Sequence, residues 1–123
     1  MTIRKWGKYN VIWSRGSEFK VKYIRVNPNS GLSFQKHNHR GELWLVVSGI
    51  ATINTYGLPG ASAEQVELDK LQDHKRTKHQ FFYINKGEWH QLINEENDPL
   101  IVIEMQFGDK CDEEDIERLF YYD

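Results

Sequence analysis

Gly31-Leu32-Ser33-Phe34-Gln35-Lys36-His37-Asn38-His39-Arg40-Gly41-Glu42, with Gly49 behind it, interlocks with Asn85-Lys86-Gly87-Glu88-Trp89-His90-Gln91-Leu92-Ile93-Asn94. Either block alone is ambiguous; in this order they read as two halves of one metal site. Gln35, His37 and His39 alternate along an expected strand, so their side chains share one face. A turn through Arg40 and Gly41 leads to Glu42, which opens an apolar strand from Leu43 to Val47. A glutamate pointing inward there needs a counter-charge, because an unpaired buried carboxylate is costly. A later strand brings His90. Two imidazoles, a carboxylate and an amide oxygen then converge on a divalent cation.

Strand signals dominate outside these blocks. Phe19-Lys20-Val21-Lys22-Tyr23 alternates before Ile24 and Val26, and Asn27-Pro28-Asn29-Ser30-Gly31 punctuates as a turn. Strands are expected at Phe19–Val26, Leu32–His39, Glu42–Ser48, Ala51–Tyr56, Gln80–Ile84, Glu88–Ile93 and Leu100–Phe107. Short strands separated by turns favour an all-β fold, a closed jelly-roll barrel that makes the ligand-bearing strands face one another. Gly57–Lys78 is polar and without clean period, an inserted loop or hairpin arm with a helical turn; His74 and His79 within it are read as solvated. Past Asp112, acidic Glu113, Glu114 and Asp115 precede Ile116, Leu119 and Phe120 at i, i+3, i+4, which predicts a short amphipathic helix.

The totals exclude several classes. A chain of 123 residues makes one domain, 1–123, and should bury roughly two-thirds of its unfolded surface. A net charge of −2 offers no basic field, so no nucleic acid partner is expected. The single cysteine, Cys111, excludes an internal disulfide and fits a reducing compartment. The N-terminus lacks the apolar run of a signal peptide, and no stretch approaches the roughly 20 apolar residues of a membrane span. A cytoplasmic protein without a membrane partner is expected.

The residues carry a resemblance. The chain resembles a cupin, whose motifs run G-x5-H-x-H-x3,4-E-x6-G and G-x5-P-x-G-x2-H-x3-N. Gly31, His37, His39, Glu42 and Gly49 match the first; Gly87, His90 and Asn94 match the second. Asn85 stands at the second motif's proline and His79 at its leading glycine, departures that touch turns and not ligands. More narrowly, the chain is similar to the type II phosphomannose isomerase domain, also found as the C-terminal part of mannose-1-phosphate guanylyltransferases. Leu32, Ser33, Gln35, His37, His39, Arg40, Glu42, Trp44, Val46, Val47, Ser48, Gly49 and Ala51 match that family's L-S-x-Q-x-H-x-H-R-x-E-x-W-x-V-V-S-G-x-A. Arg4, Trp6, Gly7 and Tyr9, then Phe19-Lys20-Val21-Lys22, Ile103-Glu104-Met105-Gln106-Phe107-Gly108 and Glu114-Asp115-Ile116-Glu117-Arg118-Leu119 extend the likeness over nearly the whole chain outside Gly57–Lys78.

The resemblance implies a divalent metal, zinc first, with manganese, iron, cobalt or nickel as alternatives. The general cupin pattern places both His37 and His39 on the metal. Gln35, His37, Glu42 and His90 instead restore the family's turn length and repeat the zinc set of type I phosphomannose isomerases, with His39 at the rim as a fifth ligand or acid/base. Such a site suits interconversion of mannose 6-phosphate and fructose 6-phosphate: a cation polarises the sugar carbonyl and stabilises the enediolate left when the C2 proton departs. Candidates for the base are His39, Glu104 and Lys22; Arg40, Lys22 and Arg118 are candidates for the phosphate. Two other readings stay open. One is a cupin that binds a phosphosugar or nucleotide-sugar without turnover, because the family's closing arginine is not matched after Tyr122. The other is an Fe(II) dioxygenase, whose triad of two His and one carboxylate is present. The nucleotidyltransferase activity of the bifunctional relatives is not expected in 123 residues. A homodimer is expected, with the apolar strands and the aromatic end (Phe120, Tyr121, Tyr122) covering its surface.

Overall fold

The computed structural model describes residues 1–122. Twelve strands alternate along the chain: β1 (Thr2–Arg4), β2 (Gly7–Arg15), β3 (Phe19–Val26), β4 (Ser30–Gly31), β5 (Phe34–Lys36), β6 (Arg40–Ser48), β7 (Ala51–Thr55), β8 (Gln72–Arg76), β9 (Phe81–Ile84), β10 (His90–Asn94), β11 (Leu100–Gly108) and β12 (Glu117–Phe120). They form two antiparallel sheets, one in the order β1-β2-β3-β11-β6-β9 and the other in the order β12-β5-β10-β7-β8, with β4 also on β10. The expected barrel is thus a jelly-roll-like sandwich: no ladder joins the two sheets among the described residues. No helix of the described residues is long and apolar enough to cross a membrane.

Alternation builds the core. From Lys22 onward in β3, as far as Val46 in β6 and as far as Gln106 in β11, the even-numbered residues are buried, so Ile24, Val26, Trp44, Val46, Leu100 and Val102 face Ile53 and Leu92 of the second sheet. Each fully buried aliphatic side chain among them contributes about 1.5–3 kcal/mol. Gly49 closes the β6–β7 turn at φ 92°, and a Cβ there would lie 2.9 Å from the Pro99 carbonyl oxygen. A second cluster, Phe34, Tyr56, Ala61 and Trp89, seals one end of the second sheet.

Two expectations are corrected. The segment after Asp112 makes a turn and then strand β12, not a helix; Glu117 pairs with Lys36, Arg118 with Gln35 and Phe120 with Phe34. A helix this short is marginal by itself, whereas the edge of β5 offers unpaired backbone groups to a strand. Gly57–Lys78 does form a loop with two 3-10 turns, but it ends in β8, which extends the second sheet beside β7. His74 on β8 is half-buried against Thr55 (3.0 Å) and the Phe82 ring (4.9 Å), so it is not the solvated residue expected.

Candidate metal centre

The two sheets bring their ligand candidates together at one end of the sandwich. Gln35 on β5 sits opposite His90 on β10, and Glu42 on β6 reaches across from the first sheet. His37 lies just beyond β5, where the chain passes from one sheet to the other. The ligating atoms of His37, Glu42 and His90 all fall within 4.8 Å of one another, and all three residues are buried. Glu42 Oε2 is 3.3 Å from His37 Nε2, and Glu42 Oε1 is 3.8 Å from His90 Nε2.

Each imidazole is aimed by a backbone carbonyl. His37 Nδ1 is 2.7 Å from the Asp115 carbonyl oxygen and His90 Nδ1 is 2.8 Å from that of Glu88. Carbonyls only accept, so both Nδ1 atoms carry the proton and both Nε2 lone pairs point toward Glu42. This is the arrangement by which outer groups fix a metal-ligating histidine. The His90 Nε2 lone pair is fully buried and has no hydrogen-bond partner. An orphaned buried acceptor is costly, and a divalent cation at this point would satisfy it. The donor set therefore fits a metal. Gln35 stands beside it, its Oε1 accepting from Ser33 (2.9 Å) and its Nε2 3.5 Å from His37 Nε2.

Charge is concentrated here. Burial outweighs the attraction of Glu42 and takes His37 down to about 4, so it is neutral at pH 7, as a ligand must be. Burial also opposes ionisation of Glu42, yet His37, His90 and Arg40 hold it well below the usual carboxylate range. Glu104 on β11 goes the other way: burial, then the neighbouring Glu42 carboxylate, pushes it up to about 8. Trp44 Nε1 bridges the two acids, 3.0 Å from Glu42 Oε1 and 3.2 Å from Glu104 Oε2.

The other candidates are distributed unequally. Arg40 is buried, not at a rim; its Nε donates to Glu42 Oε2 (2.9 Å) and its Nη2 to His37 Nε2 (3.2 Å). Lys22 is buried beside Glu104's strand, paired with Glu113 at 2.5 Å and lying over the Tyr9 ring. His39 is not brought to the group. The strand ends at Lys36, the Asp115 carboxylate caps the Asn38 and His39 amides at 3.1 and 2.8 Å, and the alternation that would aim His39 inward stops in that turn. Its half-exposed ring faces Asp109 instead.

A cleft of about 780 Å³ opens above this end, with Gln35, His37 and Arg40 in its lining. Arg4, Lys5, Lys22 and Arg118 add positive charge, against Glu104 and Glu113. Trp44, Asp115 and Glu113 were named in the sequence reading but not as site residues. Trp44 had a signal, since it lies two residues from Glu42 on the same face; Asp115 and Glu113 act through contacts across more than seventy residues of chain.

Residues 1–120 match the family described as mannose-6-phosphate isomerase C-terminal. The chain is similar to the alginate biosynthesis protein AlgA of Pseudomonas aeruginosa, 40% identical over 116 residues, covering 94% of this chain and 21% of that protein. It is similar to the mannose-1-phosphate guanylyltransferase ManC of Salmonella typhimurium, 36% identical over 115 residues, with the same shares, 94% and 21%. The chain thus spans about a fifth of the length of these curated relatives. In fold it resembles the Schizosaccharomyces pombe Cnp3 cupin domain, with a TM-score of 0.68 at 9% identity, covering 83% of this chain and 61% of that one.

Proposed function

Because this chain belongs to the mannose-6-phosphate isomerase C-terminal family, a cupin family, we propose that it is a metal-dependent isomerase interconverting mannose 6-phosphate and fructose 6-phosphate. The observation that carries this reading is the pair of Nε2 lone pairs on His37 and His90 converging on Glu42, one of them orphaned, beside a cation-lined cleft. His37, Glu42 and His90 would hold the ion, zinc in the first instance, with Gln35 as fourth donor. When bound, it supplies a Lewis acid for the sugar carbonyl.

The rest falls to the chain's own side chains. Glu104 is the carboxyl group of the cleft wall nearest the ligands and is our candidate to move the proton between C1 and C2. Trp44 and Gln106 hold it in place, the latter with Nε2 at 2.5 Å from Glu104 Oε1. Lys22 and Arg118, on opposite sheets, supply positive charge for the phosphate. His39 has no part in the step.

One observation favours a second reading, a phosphosugar-binding cupin without turnover. Arg40 already donates to both His37 Nε2 and Glu42, so its guanidinium competes with a metal for two of the three donors. Coupled assay of the zinc-loaded chain with mannose 6-phosphate separates the two. Isomerase activity abolished by chelation and restored by zinc supports the enzyme; calorimetric binding of the phosphosugar with no turnover supports the binding module.

A further inference from the structure

One cation of the cleft wall already holds an anion that lines the same cleft. Lys22 Nζ is 2.5 Å from Glu113 Oε1. The two partners are unequal. The Lys22 side chain is 6% exposed, fixed on β3 with its ammonium 4.4 Å from the centre of the Tyr9 ring, whereas that of Glu113 is 48% exposed. A second cation, Lys20, stands 3.4 Å from the same carboxylate oxygen. Partial burial opposes ionisation of Glu113, yet Lys22, Arg40 and Lys20 hold it below the usual carboxylate range, so it is charged at pH 7.

The backbone that carries Glu113 is anchored on both sides. Before it, the Asp112 carbonyl accepts from Arg40 Nη1 at 3.3 Å, and the Asp112 carboxylate accepts from the Glu114 amide at 2.9 Å. After it, Asp115 holds the His37 ring through its carbonyl and the Asn38 and His39 amides through its carboxylate. Glu113 therefore leaves Lys22 by rotation about its own side-chain bonds into solvent, with the clasp on His37 intact. The carboxylate regains rotamer freedom on release. Lys22 has no such exit. A buried ammonium needs an anion beside it, because an unpaired buried charge is costly. Whatever displaces Glu113 must itself be an anion.

We propose that Glu113 is a resident anion at Lys22 that the phosphate of the substrate displaces, so that it sets the affinity of the cleft for phosphate. This rests on the reading above in which Lys22 serves the phosphate of a sugar. A phosphomonoester carries a charge of about −1.5 to −2 at pH 7 and three strong acceptor oxygens. It therefore outcompetes a single carboxylate for Lys22, where a neutral sugar has nothing to offer the ammonium. With the cleft empty, Glu113 keeps the buried Lys22 paired. With a phosphate in place, it returns to water. Every anion that reaches Lys22 has to overcome this contact, so removing the carboxylate tightens phosphate binding instead of weakening it.

Calorimetric titration of the zinc-equilibrated 123-residue chain with inorganic phosphate tests this. Glu113→Gln keeps the side-chain length and an acceptor for Lys22 but removes the resident charge. It should bind phosphate about fivefold more tightly than the wild type, the factor that matches a half-exposed ion pair at the upper end of its usual strength. Glu113→Ala should gain likewise, so either variant decides if the other does not fold. Glu114→Gln makes the same change in net charge one residue on, outside the cleft lining, and should bind phosphate as the wild type does. Equal or weaker phosphate binding in a folded Glu113 variant overturns the proposal and leaves Glu113 as a plain counter-ion of Lys22. An equal gain in Glu114→Gln also overturns it, because net charge then accounts for the effect. The titration needs no turnover. Tighter phosphate binding in a Glu113 variant of a chain that isomerises no sugar keeps this proposal and removes the isomerase reading.

Discussion

Glu104 and His39 show how far a candidate list depends on where the chain turns. Both are candidates for the base in the sequence reading; the structure sets one on the cleft wall and swings the other out to Asp109. Replacing Glu104 by Gln keeps its size and its place beside Trp44 but removes the proton carrier. The variant should retain zinc and lose about 10²–10⁴-fold in turnover of mannose 6-phosphate, whereas His39→Ala should leave both zinc content and turnover unchanged. Equal losses in the two variants would show that the assignment of the proton carrier is wrong. Strand alternation put Gln35, His37 and His39 on one face, and a lone carboxylate opening an apolar strand gave Glu42 the need for a partner. The set Gln35, His37, Glu42 and His90 came from the family resemblance, and the structure gathers His37, Glu42 and His90 of it. His39 was misplaced because nothing in Asn38-His39 announces that the distant Asp115 carboxylate will cap both amides. Arg40 was a candidate for the phosphate; its burial against Glu42 and the Asp112 carbonyl, which lie on different segments, was not legible.

The strands that carry the site were legible for a related reason. β3, β6, β10 and β11 fall within a residue or two of their expected bounds, since their periods and flanking turns agree. The strands that were missed lie at edges or in polar sequence: β1 and β2 form the open side of the first sheet, β4 falls in the stretch read as a turn, β8 sits in a charged run, and β12 was taken for a helix. Ile116, Leu119 and Phe120 satisfy a helical spacing, but Phe120 gains more by stacking on Phe34, which in turn stacks on Trp89 at 5.6 Å. Trp89 is therefore the residue that holds this end together. It is fully buried, and its Nε1 donates to the Ala61 carbonyl at 2.9 Å. Trp89→Ala should destabilise the fold by about 3–5 kcal/mol, read as a lower urea midpoint. A loss under about 1 kcal/mol would mean that the Phe34–Phe120 stack stands without it.

At the scale of the molecule, one end between the sheets gathers His37, Glu42 and His90 under a positively lined cleft. The all-β fold was legible from strand spacing, but the sandwich in place of a closed barrel was not, because closure depends on whether edge strands meet. The proposed chemistry rests on a cation seated where the orphaned His90 nitrogen faces Glu42. Zinc content of the purified chain, measured by mass spectrometry after equilibration with zinc and exhaustive dialysis, tests that seat most directly. One ion per chain in the wild type, lost in His90→Ala and kept in His74→Ala, is the predicted result; a wild type without zinc, or a His90→Ala variant that holds as much as the wild type, would contradict it.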